Sequence, residues 1–160
     1  MKIYIGSDHS GYELKEKLKT YLSELEYEVE DKGALKYDAE DDYPDFSQAV
    51  AESVAGNPRS FGVMLGGSGE GEAMCANRIK GVRAVVFYGE AIATETIDIE
   101  GKKSVDSFEI IKLSRMHNDA NVLSLSTRFL SEDQIKFAIE LFLTTKFSED
   151  ERHVRRIAKF

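Results

Sequence analysis

Four glycines, a serine and two glutamates fall within seven residues, Gly66-Gly67-Ser68-Gly69-Glu70-Gly71-Glu72, directly after the apolar run Phe61-Gly62-Val63-Met64-Leu65. Glycines at 66, 67, 69 and 71 let backbone N–H groups converge on an anion, a following helix adds its positive end, and Glu72 supplies a carboxylate. This is equipment for handling an oxyanion. A second group, Ser7-Asp8-His9-Ser10-Gly11, sets a carboxylate beside an imidazole after the first apolar run, a pair able to move protons. Taken alone, the same pair also reads as a helix cap and a surface histidine. A third group, His117-Asn118-Asp119-Ala120-Asn121, is rich in donors and acceptors. If the preceding helix ends near Met116, His117 and Asn118 are free to reach a ligand; otherwise they form a C-cap and turn. Arg128 and the knot Arg152-His153-Val154-Arg155-Arg156 add guanidinium groups suited to bidentate phosphate capture, with a solvated terminal patch as the competing account. The set suits a polyol carrying an anion. A P-loop lysine motif, a zinc constellation and a nucleophile with an adjacent base are all missing. The expected chemistry is proton transfer with no cofactor and no metal.

Positioning these groups falls to alternating elements. Ile3 to Gly6, Tyr27 to Asp31, Phe61 to Gly66, Arg83 to Tyr88 and Asn121 to Ser126 read as strands; Tyr12 to Leu25, Phe46 to Ala55, Glu72 to Ile79, Phe108 to Met116 and Glu132 to Thr145 read as helices. Strands separated by helices imply right-handed crossovers, hence a five-stranded parallel sheet in a Rossmann-like three-layer α/β/α sandwich. Ligands of such folds sit at the carboxyl ends of the strands, where Asp8 and the glycine loop both fall. The loop follows the third predicted strand, not the first, which separates it from the dinucleotide fingerprint. Two segments fit less well. Residues 32–44 form an acidic loop closed by Pro44, longer than a usual strand-to-helix connection. Residues 89–107 read as an insertion in which Ile97 and Ile99, around Glu100-Gly101, suggest a small hairpin.

Composition narrows the setting. A chain of 160 residues, 42% hydrophobic, supports one core and one domain, with a basic C-terminal arm at about 148–160. A net charge of −8 argues against a general nucleic-acid or membrane surface. Cys75 is the single cysteine, and Met1-Lys2-Ile3-Tyr4-Ile5 enters a strand pattern at once. With no signal-peptide profile and no apolar run of membrane-spanning length, a soluble protein of the reducing cytoplasm is expected.

Ser7 to Gly11, Gly66 to Glu72 with Ala76-Asn77-Arg78 behind it, Gly81-Val82-Arg83-Ala84, and Ser114 to Val122 together resemble the ribose-5-phosphate isomerase B family, which includes galactose-6-phosphate isomerase subunits. The resemblance runs from residue 3 to about 157, interrupted near 89–107. It implies a Rossmann-like fold, a homodimer or dimer of dimers with shared active sites, and metal-free interconversion of aldose and ketose phosphates in pentose phosphate metabolism. Members place the proton-abstracting base either as a cysteine at the position of Gly66 or as a glutamate ending a GGSGxGE loop. This chain is similar to the glutamate type, with Cys75 then a small apolar residue.

Carried over by position, the resemblance makes Glu72 the group that shuttles a proton between two sugar carbons through a cis-enediolate. Ser68 and the amides of Gly67, Gly69 and Gly71 would hold the enediolate oxygen. His117, with Asp8, would open the sugar ring. Asn118 and Tyr43 would contact hydroxyls, and His9, Arg128, Arg152 and Arg156 the phosphate. The expected activity is the interconversion of ribose 5-phosphate and ribulose 5-phosphate. The alternatives are isomerisation of a six-carbon or unusual sugar phosphate, or non-catalytic binding of a sugar phosphate. Whether burial raises the pKa of Glu72 more than the helix end lowers it is not legible at this level.

Overall fold

The computed structural model describes all 160 residues. Five strands, β1 (Lys2–Ser7), β2 (Glu28–Asp31), β3 (Ser60–Gly66), β4 (Ala84–Phe87) and β5 (Val122–Ser126), alternate with helices α1 (Tyr12–Glu24), α2 (Tyr43–Gly56), α3 (Glu70–Ala76), α4 (Glu109–Asn118) and α5 (Glu132–Thr144), and α6 (Glu151–Ile157) closes the chain. All strands are parallel, in the order β2-β1-β3-β5-β4.

Side chains that alternate along the strands build two cores. Ile3, Ile5, Val63, Leu65, Leu123 and Leu125 join Leu18 and Leu22 of α1 and Ile135, Ala138, Ile139 and Phe142 of α5. Their neighbours Tyr4, Met64 and Val122 join Val50, Ala51 and Val54 of α2 on the opposite face. Period two in the strands and spacings of three and four in the helices therefore meet across the sheet. The three-layer α/β/α sandwich is as the sequence led us to expect.

The chain leaves β1 to make β2 on one side, then crosses to the other side for β3. The carboxyl ends of β1 and β3 thus flank a crevice at the point where the strand order reverses, the usual ligand position in open parallel sheets. Insertion of β5 between β3 and β4 brings Thr127 and Arg128 beside the glycine loop.

Local structure departs from expectation at four places, the first being that α2 begins at Tyr43, with Asp42 as its N-cap residue, so Tyr43 and Pro44 of the expected 32–44 loop are helical. Helix α4 continues to Asn118 and stops at Asp119, which has a left-handed φ of 44°. His117 and Asn118 are therefore its last helical residues and not part of a loop. The C-terminal arm contains a helix, α6, because Asp150 caps it by accepting from the Arg152 amide at 2.8 Å. The 89–107 segment has no strand. The expected hairpin is a turn closed by Ile97 N–H to Lys102 C=O at 2.8 Å, with the Asp98 carboxylate accepting from the amides of Glu100 and Lys102. A side chain takes over bonds that a second strand would otherwise make.

The long loop before α2 is anchored at its root. Lys15, fully buried in α1, contacts Asp31 at 2.5 Å, and Asp31 also accepts from the Gly33 amide at 2.9 Å. No helix of the chain is long and apolar enough to cross a membrane.

Candidate active site

The glycine loop turns its carbonyls towards β5. Gly66 C=O accepts from Thr127 N–H at 2.9 Å, Gly67 C=O from the Ser126 hydroxyl at 2.7 Å, and Gly69 C=O from the Ser124 hydroxyl at 2.7 Å. With the carbonyls held there, the amides of Gly67, Ser68 and Gly69 find no acceptor in the protein. Gly69 has a φ of 80°, a conformation open to glycine without strain, and it passes the chain into α3. The result is a set of donors free for an oxyanion.

Glu72 lies in the first turn of α3 and is 5% exposed. Its carboxylate folds back over the end of β3: a Cβ on Gly66 would stand 1.7 Å from Glu72 Oε1 and 2.1 Å from Cδ. Burial pushes the Glu72 carboxyl above its ordinary range; its own backbone amide opposes the shift and the charge of Asp8 reinforces it. The question left open by the sequence is thus decided by desolvation. Cys75, one turn further on, has its thiol pushed up by burial, with its Sγ 3.8 Å from the Pro44 carbonyl, which suits an unreactive packing role.

Asp8 is buried at the carboxyl end of β1 and accepts from the Ser10 amide at 3.0 Å and from the Ser10 hydroxyl. His9 is held by a residue that sequence reasoning missed. One oxygen of Asp41 accepts both the His9 amide, at 3.0 Å, and ring Nδ1, at 2.7 Å. That fixes the tautomer with the proton on Nδ1 and leaves Nε2 as the free edge. The Asp41 hydrogen bond raises the His9 pKa against partial burial, with Asp8 helping and Arg128 opposing. The acidic content of 32–44 was visible, but a contact across 32 residues was not.

Two further residues close on the loop. The Arg128 guanidinium lies over Gly67, its Cζ 3.1 Å from where a Cβ would be, and the Tyr43 ring packs on Gly71, with Cζ at 2.7 Å from the equivalent point. Glu72, Asp8, His9, Tyr43 and Arg128 therefore gather about the glycine loop between β1 and β3, while the Ser68 hydroxyl accepts from the Glu70 amide at 3.3 Å and lines a shallow pocket with Glu70, Tyr88 and Phe129.

The remaining predicted residues form a separate group. His117 and Asn118 line a cavity of about 420 Å³ with His153 and Arg156, between α4, α6 and strand β4; neither Glu72 nor Asp8 is among its walls. His117 ends a helix leading into β5, whereas the glycine loop follows β3 at the opposite edge. Five residues of strand separate the two edges by about 15 Å. The structure does not bring His117 together with Glu72 within one chain. His153, also missed from the sequence, stacks on His117 with ring centroids 4.2 Å apart and planes 11° from parallel.

A buried carboxylate above free amides at the switch point of a parallel sheet, beside cationic side chains, is the layout of an α/β protein that takes a small anionic ligand. The chain belongs to the ribose/galactose isomerase family, whose model matches residues 3–101 and 104–160. It is 36% identical over 157 residues to ribose-5-phosphate isomerase B of Mycobacterium tuberculosis, covering 98% of this chain and 86% of that one. It is 39% identical over 158 residues to a probable ribose-5-phosphate isomerase B of Mycoplasma pneumoniae, covering 98% and 91%. Among solved structures, ribose-5-phosphate isomerase B of Mycoplasma genitalium with bound ribulose 5-phosphate superposes with a TM-score of 0.84 at 34% identity, covering 99% of this chain and 92% of that one.

Proposed function

We propose that the protein is an aldose–ketose isomerase interconverting ribose 5-phosphate and ribulose 5-phosphate, built as one domain with an insertion at about 89–107 and a C-terminal basic arm at about 148–160. The observation that carries this reading is the buried carboxylate of Glu72, raised in pKa and set beside amides with no acceptor. Such a group takes the proton from C2 of the open-chain aldose and returns it to C1, while the hydroxyl proton passes from O2 to O1. The Ser68 hydroxyl and the amides of Gly67, Ser68 and Gly69 hold the negative charge of the enediolate between the two transfers. His9, cationic through Asp41, and Arg128 grip the phosphate, and Tyr43 meets the sugar hydroxyls. Phosphate binding far from the reacting carbons contributes orientation.

Ring opening by His117 with Asp8, and help from Asn118, Arg152 and Arg156, require a second copy of the chain. The separation of the two groups by the length of a strand supports a homodimer, or a dimer of dimers, in which the group around His117 serves the partner's crevice. Partly exposed Val85 and Val86 and exposed Ile110 line the same cavity and give such a contact an apolar surface. A reducing, cytoplasmic setting belongs to the same reading, supported by a single unpaired thiol.

The test is direct. Chelator-treated protein is offered pentose and hexose phosphates in deuterated water while aldose-to-ketose conversion is followed. Conversion of ribose 5-phosphate with solvent deuterium at C1 of the ketose supports the reading. Binding without conversion, or turnover of hexose phosphates alone, overturns it.

A further inference from the structure

Two of the chain's three histidines form a parallel pair, and only one of them has a role in the function proposed above. His153 is 4% exposed, in the first turn of α6, and covers one face of the His117 ring at the end of α4. Its own edge is committed: Arg152 Nε donates to His153 Nε2 at 3.2 Å. A guanidinium has donors only, so Nε2 must present its lone pair and any ring proton must sit on Nδ1. Protonating His153 would oppose an N–H to the guanidinium N–H and place a cation beside a cation. The ring is therefore locked neutral by its neighbour.

We propose that His153 is a positioning residue for His117, holding its ring in one plane through the stack and, because Arg152 keeps His153 neutral, assigning the proton-carrying role of the pair to His117 alone. This rests on the reading of His117 as the ring-opening group. An acid–base residue that opens a sugar hemiacetal must take a hydroxyl proton and return one, so it needs a free lone pair near neutral pH and a fixed edge. The stack supplies both. It removes water from one face of His117 and leaves its edge on the cavity shared with Asn118 and Arg156.

The surroundings act in the same sense. Burial lowers the His117 pKa most and the Arg152 charge adds to it, a neutral His153 acting by excluding water and not by charge; Asp150, which caps α6, and Asp98 of the 97–102 turn act the other way. His153 is itself lowered by burial and by Arg152, with Arg156 adding and Asp150 opposing. Strand β4 contributes Val85, Val86 and Phe87 to the cavity and no titratable group.

Two variants separate the stack from the hydrogen bond. His153→Gln keeps an acceptor for Arg152 and loses the ring; His153→Phe keeps a flat ring and loses the acceptor. The histidine ring resonances are titrated by NMR in each full-length protein, alongside the pH dependence of kcat. In His153→Gln the His117 resonance should titrate at higher pH by about half a unit or more, and the acid limb of kcat should move by the same interval. In His153→Phe the His117 titration should stay near that of the parent protein. If His117 titrates unchanged in His153→Gln, or the acid limb stays still, the proposal is overturned. The NMR titration needs no turnover, so a parent protein inactive on every sugar phosphate would remove the functional reading while the pair is still decided.

Discussion

The Glu72 carboxylate occupies the volume that any side chain on Gly66 would need, with Oε1 1.7 Å from the position of a Gly66 Cβ. The two residues are six apart in sequence yet compete for one point at the end of β3. In the family resembled, the proton-abstracting group is either a cysteine at the first position or a glutamate at the second. Shared space gives a physical reason for that choice: a side chain at 66 requires the carboxylate above it to move from this position.

Gly66→Ala should therefore displace the base while leaving the sheet in place. We expect kcat to fall by about 10²-fold or more, the scale of general-base catalysis, with far-ultraviolet circular dichroism unchanged. Activity near the parent level would show that Glu72 works from another position.

Glu72→Gln should lower kcat by about 10² to 10⁴-fold and also make the protein more stable at neutral pH. A carboxyl whose folded pKa lies above its unfolded value favours folding most below the unfolded pKa, and that advantage is lost as pH rises through the folded pKa. The variant should thus melt higher than the parent above the raised pKa, by about 2–4 °C for each kcal/mol of relieved desolvation, and no higher below about pH 4. Melting curves at several pH values read this, and equal melting temperatures at pH 8 would contradict it.

Much of this was legible in the sequence because it is local. Asp8 follows β1 and the glycine loop follows β3, so both fall at the carboxyl edge of a parallel sheet by loop position alone; that β1 and β3 are neighbours is visible only in the strand order of the structure. Asp41 was not legible, because its role depends on the 32–44 loop folding back over β1. His153 was not, because its partner lies 36 positions away on another helix, and only packing of α6 on α4 brings the rings together. The last two residues of α4 escaped as well: the left-handed position that stops a helix is commonly glycine, and here Asp119 takes it.

Asp41→Asn should weaken phosphate binding and leave the proton-transfer step alone. His9 is cationic below its raised pKa, and removing the carboxylate returns that pKa towards the ordinary histidine value, so the loss appears as pH rises. The free edge of His9 is partly exposed, with the side chain 33% accessible, so a charge-assisted bond of about 1.5–3 kcal/mol is discounted to a KM increase of about 3–10-fold near pH 7.5. A KM profile against pH checks it; an unchanged KM at pH 7.5 with a lowered kcat would assign Asp41 elsewhere.

Sharing of active sites predicts complementation. Glu72→Gln and His117→Asn, each inactive alone, should regain about a quarter of the parent activity when subunits are mixed statistically. Half of the dimers would then be mixed, and one of the two crevices in each would hold both parent residues. Mixing followed by assay and native mass spectrometry reads it. Mixed dimers without activity would place both residues of a site in one chain.

The Lys15–Asp31 contact reaches further than the core that hides it. Asp31 holds the Gly33 amide near the start of the loop whose far end carries Asp41, so under the proposed reading a lysine sealed inside the first helix should set how firmly the protein grasps its substrate's charged tail. Damage at such a hidden anchor would surface first as slackened affinity, ahead of any loss of the native fold.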